Sequence, residues 1–168
     1  MSMRLITTIL LITFLTSCGF ALRTAEQSRL PFSSLQLNLQ QENAPFSRLL
    51  RSALESSGVS LGETGYILSI GEELHSSRPI SVTNRASAAE YELVSTVQVA
   101  LSDPAGIPLL GPETLAVERT YYEDIANIAG SGSEVELLRA EMRQELVDQL
   151  LRSLQSLPAP SSMPAPGR

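Results

Sequence analysis

The chain has 168 residues, a formal net charge of −6, 5% aromatic residues and no tryptophan, and its twelve basic residues are all arginine. The acidic balance argues against a nucleic-acid partner, because phosphate backbones are bound by net basic faces. One cysteine rules out a disulfide within the chain, and the scarcity of aromatics leaves the core to Leu, Ile and Val.

The first element is a leader. A weakly basic start, Met1-Ser2-Met3-Arg4, precedes Leu5 to Leu15, a run that is apolar apart from threonines. That run matches a signal-peptide core and is shorter than the roughly 18 residues that span a bilayer. Leu15-Thr16-Ser17-Cys18 then resembles the bacterial lipobox, in which the cysteine sulfur receives a diacylglyceryl group, a peptidase cleaves before it, and the new amine is acylated. The alternative is an ordinary secretory signal with a cysteine beside its cleavage site by chance. The expectation is a signal peptide over residues 1–17 and a lipid-modified Cys18. At about 0.8 kcal/mol per buried methylene, three acyl chains would tether the chain all but permanently. Gly19 stands where an aspartate favours inner-membrane retention in enteric lipoproteins, which points to the periplasmic face of the outer membrane.

Residues 18–34 lack periodicity and read as a lipidated leader to the fold. Leu35, Leu37 and Leu39 alternate with Gln36, Asn38 and Gln40, the pattern of a half-buried strand. Asn43-Ala44-Pro45 opens a helix, with Phe46, Leu49, Leu50, Ala53 and Leu54 at helical spacing and Gly58 as its stop. Tyr66, Leu68 and Ile70 begin a second strand that runs on, interrupted near Arg78-Pro79, into Ile80 and Val82. A turn over residues 83–87 leads to the longest strand, with Tyr91, Leu93, Val97, Val99 and Leu101 on one side. "DPAGIPLLGP" reads as a loop and "TLAVERTYY" as the fourth strand. Gly130-Ser131-Gly132-Ser133 reads as a break before a second helix, with Ser133 and Glu136 as its capping box. That helix carries Val135, Leu138, Met142, Leu146, Leu150 and Leu154 at three- and four-residue spacing. Residues 157–168, with four prolines, read as a disordered tail.

The predicted order is β-α-β-β-β-α, an α+β two-layer sandwich over residues 35–156. Its four-stranded, mostly antiparallel sheet would carry both helices on one face. The other face, with Gln36, Asn38, Gln40, Glu92, Gln98 and Glu118, would stay polar.

Chemistry is sparse. His75 is the one histidine and reads as a strand-edge or loop residue; no zinc or hydrolase motif is present. Glu72-Glu73 and Glu123-Asp124 are neighbours that a strand would point to opposite faces. No cofactor and no enzymatic activity are expected.

Four stretches, "SCGFALR" at 17–23, an arginine turn leading to "AEY" at 85–91, "ERTYYED" at 118–124 and the last helix, together resemble the LPS-assembly lipoprotein family LptE. The resemblance covers the mature chain apart from its tail. It implies an outer-membrane lipoprotein that plugs and helps assemble the β-barrel LptD and assists lipopolysaccharide delivery to the outer leaflet. It also implies that Arg85 binds lipopolysaccharide phosphates, for which a guanidinium fork is suited. A second basic position of the family falls near Ser131, which is not basic; Arg78 is its substitute. The alternative is another periplasm-facing accessory lipoprotein, serving barrel insertion or envelope scaffolding.

Overall fold

The computed structural model describes residues 30–82, 88–124 and 128–158. The first leucine alternation forms Ser34–Leu39 (β1), and the helix that follows is Pro45–Ser56 (α1), closed by Gly58 at φ 83°. The chain returns through the two-residue Ser60–Leu61 (β2) and through Tyr66–Ile70 (β3), both parallel to β1. Leu74–Val82 (β4) and Ala88–Ser102 (β5) form an antiparallel hairpin. Pro108–Asp124 (β6) pairs with β5 over nearly its whole length. The last helix is Ile128–Gln155 (α2).

The fold is therefore α+β with two helices, but the sheet is a curled, mixed one of six strands rather than a mostly antiparallel one of four. The order is β2-β1-β3-β5-β4, with β6 on the other edge of β5. Three physical causes separate it from the expected sheet. First, the strand predicted to run from Tyr66 to Val82 is cut at Gly71–Glu73, where those three residues stand opposite only Val97 and Gln98 of β5. A surplus residue of this kind reverses which side chains face each way. A second register shift falls between Pro79 and Ser81, beside the expected interruption. Secondly, only Asp103–Ile107 is loop. Pro108, Gly111 and Pro112 of "IPLLGP" lie inside β6, which tolerates them because it is an edge strand. Thirdly, α2 starts at Ile128 and carries Gly130 to Ser133 in its first turns, so the expected break and Ser133 cap are not its start.

Both helices lie on one face. Leu35, Leu68, Ile70, Leu93, Val97, Val99, Leu101, Val117 and Tyr121 point toward them from the sheet. Phe46, Leu50 and Leu54 of α1 and Met142, Leu146, Val147, Leu150 and Leu154 of α2 meet that layer, all buried. Leu30 and Phe32, from the expected leader, and Leu157, from the expected tail, also pack on this core; Phe32 sits 4.7 Å from the Tyr66 ring.

Gly111 holds β6 against β5. Its φ is +69°, and a β-carbon there would lie 2.5 Å from the Val99 carbonyl oxygen. Gly111→Ala is expected to cost about 1–3 kcal/mol, from the left-handed conformation and the backbone clash together. Urea denaturation against the parent chain measures it.

Candidate functional site

Cys18 and Arg85 lie outside the described residues. Val82 and Ala88, the described residues on either side of the stretch that contains Arg85, lie with Asp124 at the end of the sheet opposite Leu30. Arg78 stands near the same end on the helix-free face. Its side chain is 71% exposed, and its Nε donates to Glu92 Oε2 at 2.5 Å. That hydrogen bond and the Glu92 charge hold the Arg78 pKa above its ordinary value. Ser131 falls within α2, not in a loop before it.

Three arginines on the sandwich's helix side are also engaged. Arg119 of β6 pairs with Glu145 of α2, Arg139 pairs with Glu136 at 2.7 Å, and Arg143 Nε donates to Glu73 Oε2 at 2.9 Å. Arg78, Arg119, Arg139 and Arg143 thus each face a carboxylate, and none of the other three is brought to Arg78's face as a second cation.

A partly buried polar cluster escaped the sequence reading. The surplus residue at Gly71–Glu73 turns Glu73 and His75 under α2 and turns Leu74 out to water, where it is 57% exposed. His75 Nδ1 lies 2.8 Å from Ser95 Oγ, and its Nε2 lies 3.6 Å from Glu73 Oε1. Ser95 Oγ in turn contacts Met142 Sδ at 3.8 Å. Serine, histidine and carboxylate are the components of a nucleophilic triad, yet Ser95 is 1% exposed beneath Met142, so its hydroxyl has no open side for a substrate. The arrangement ties β4 and β5 to α2. Glu72, the neighbour of Glu73, faces outward and accepts from Gln41 Nε2 at 2.6 Å, so the acidic pair does point apart.

Burial lowers the His75 pKa below 6.5; Arg139 and Arg143 lower it further, against the opposing effect of Glu73 and Glu136. The unfolded chain therefore binds this proton more readily than the folded one. Stability is present above the unfolded value and is lost as pH falls through the folded value. Thermal melts between about pH 7 and pH 5 are expected to show a declining midpoint, and His75→Gln to flatten that decline.

The helix-free face is concave and polar. One depression of about 420 Å³ is lined by Asn38, Gln40, Ser69, Gly71, Gln98 and Pro112 among others. A second, of about 430 Å³, shares Gln40 and Gln98 and adds Glu72, Leu74, Thr96 and Thr114. Gln40 is held in place, its Oε1 accepting from the Glu72 amide at 3.1 Å. Among the described residues, no cluster of His, Cys, Asp or Glu is placed to hold a metal, and no helix is long and apolar enough to cross a membrane.

These features can be set beside known proteins. A family model described as lipopolysaccharide-assembly, LptE, matches residues 32–154. The LPS-assembly lipoprotein LptE of Photorhabdus laumondii is 27% identical over 143 residues, covering 82% of this chain and 76% of its own length. Its namesake from Yersinia pestis is 28% identical over 142 residues, covering 82% of this chain and 68% of its own length. The crystal structure of rare lipoprotein B from Shewanella oneidensis superposes with a TM-score of 0.67 at 26% identity, over 73% of this chain and 94% of that one. The family match takes in every described strand and nearly all of α2, and the relatives agree with it in name, so this chain belongs to the LptE family of lipopolysaccharide-assembly lipoproteins.

Proposed function

We propose that the chain is anchored through an acylated Cys18 to the periplasmic face of the outer membrane. There it plugs and helps assemble a β-barrel of the LptD type and assists lipopolysaccharide delivery. The observation that carries this reading is the uncovered sheet face. Asn38, Gln40, Ser69, Thr96, Gln98 and Thr114 give its depressions a polar lining, flanked by Glu72, Arg78 and Glu92, on a body whose apolar side is already sealed by two helices. The lumen of a wide outer-membrane barrel is polar, and such a surface can be enclosed there with Leu74 as the exposed large apolar side chain of its lining. The test is affinity purification of the full-length chain from outer membranes. Co-purification with a barrel of the LptD type supports the reading. Recovery without that barrel, or with barrel-insertion or scaffolding proteins in its place, refutes it.

Arg85 is proposed to contact the lipopolysaccharide phosphates at the end of the sheet away from Leu30, with Arg78 as the weaker second cation because Glu92 already occupies it. Arg85→Glu is expected to weaken lipopolysaccharide binding and to leave barrel association intact. An unchanged binding curve removes Arg85 from the site.

A further inference from the structure

The end of the sandwich nearest the start of the described chain carries the β5–β6 hairpin tip. Asp103 to Ile107 closes the β5–β6 hairpin on itself. The Asp103 amide donates to the Ile107 carbonyl at 2.9 Å, and the Gly106 amide donates to the Asp103 carbonyl at 2.9 Å. Asp103 turns its carboxylate inward, where Oδ1 accepts from the amides of Ala105 and Ile107 at 2.9 and 2.8 Å. The charge and four backbone N–H groups of the loop are thus satisfied internally. What remains outside is Pro104, Ala105, Gly106, Ile107 and Pro108, all exposed, with the Ile107 side chain standing in water. Beside it, Phe32, Leu109, Leu157 and Pro158 line a small apolar depression. The chain's entry, the hairpin tip and the C-terminal end of α2 therefore meet at one apolar patch, with the Asp103 carboxylate held under the tip as its charge.

A preformed loop with its polar groups already paired loses few hydrogen bonds with water when it enters an apolar phase, and an exposed apolar surface gains by leaving water. What lies within reach is set by the chain itself. Cys18 precedes Leu30 by twelve residues, a span of at most about 40 Å when fully extended. We propose that the Pro104–Pro108 tip seats in the interfacial layer of the bilayer that holds the Cys18 anchor, a second contact that fixes which end of the sandwich faces the membrane. This proposal rests on the anchored reading of Cys18. The tip has no cation, so the contact draws on apolar surface and not on lipid headgroup charge.

The chain has no tryptophan, so a single introduced one reports its own surroundings. Ile107→Trp and, as a second position on the tip, Ala105→Trp are placed in the full-length acylated chain. Each is reconstituted in vesicles of phosphatidylethanolamine and phosphatidylglycerol. The comparison is Tyr122→Trp, at an exposed position toward the opposite end of β6. The expected result is a blue-shifted emission at 107 and 105 that is largely lost when the lipids are brominated, with water-like and unquenched emission at 122. If the protein carries its acyl groups by mass and floats with the vesicles, yet both tip positions stay water-like, the seated tip is overturned and the anchor stands. If the mass shows no acyl group, the anchor falls and the proposal falls with it.

Discussion

Arg143→Ala is expected to remove about 3–5 kcal/mol of stability, because it strands a carboxylate that has nowhere else to go. Glu73 is 6% exposed and Arg143 16% exposed, and their contact at 2.9 Å crosses from the β3–β4 junction to the middle of α2. The second Glu73 oxygen makes no hydrogen bond and faces His75 Nε2 at 3.6 Å. Loss of the guanidinium leaves that oxygen pair buried with only the His75 imidazole beside it. The pair Glu73→Gln with Arg143→Met should recover most of the loss, since it removes both charges and keeps the volume. Urea titrations of the single and double variants measure this. A single variant within about 1 kcal/mol of the parent would show that the ion pair does not hold α2 down.

Phe46→Ala is the second large loss, expected at about 3–5 kcal/mol. Phe46 is 1% exposed in the first turn of α1, at the head of a stripe that continues through Leu50 and Leu54 into the layer shared with α2. Removing the ring empties the seam between the two helices and the sheet, and α1 is too short to persist without that contact. Leu137→Ala is the matched control: the same helix layer, but a side chain 61% exposed, with a change within about 0.5 kcal/mol. Equal losses for the two variants would contradict the burial pattern.

Much of this architecture was legible from side-chain spacing, and the failures share a cause. Both helices announce themselves through Phe46-Leu50-Leu54 and Met142-Leu146-Leu150-Leu154, because a stripe at helical period has one cheap place to go. The alternating leucines of β1 and the valines of β5 do the same for the sheet. Spacing fails where backbone irregularity intervenes. Glu73 and His75 look like solvated strand residues until the extra residue beside Gly71 turns them inward, and their partner Arg143 lies far away in sequence. Leu109 and Leu110 were hidden inside β6 by the flanking prolines and Gly111, which normally signal a turn. The two-residue β2 has no period to detect. The polar sheet face, by contrast, was readable from Gln36, Asn38, Gln40 and Gln98, since strand alternation places them without any tertiary information.

The β5–β6 ribbon has a further consequence. Its fifteen-residue central strand, Ala88–Ser102, is hydrogen-bonded to β6 along nearly its full length, and an antiparallel strand advances about 3.4 Å per residue. Ala88 and Ser102, the two ends of that strand, are thereby set up to about 50 Å apart, farther than the hydrocarbon thickness of a bilayer. A twin-stranded strut of that kind works as a ruler: whatever is gripped at one extremity is held at a constant height above whatever is fastened at the other.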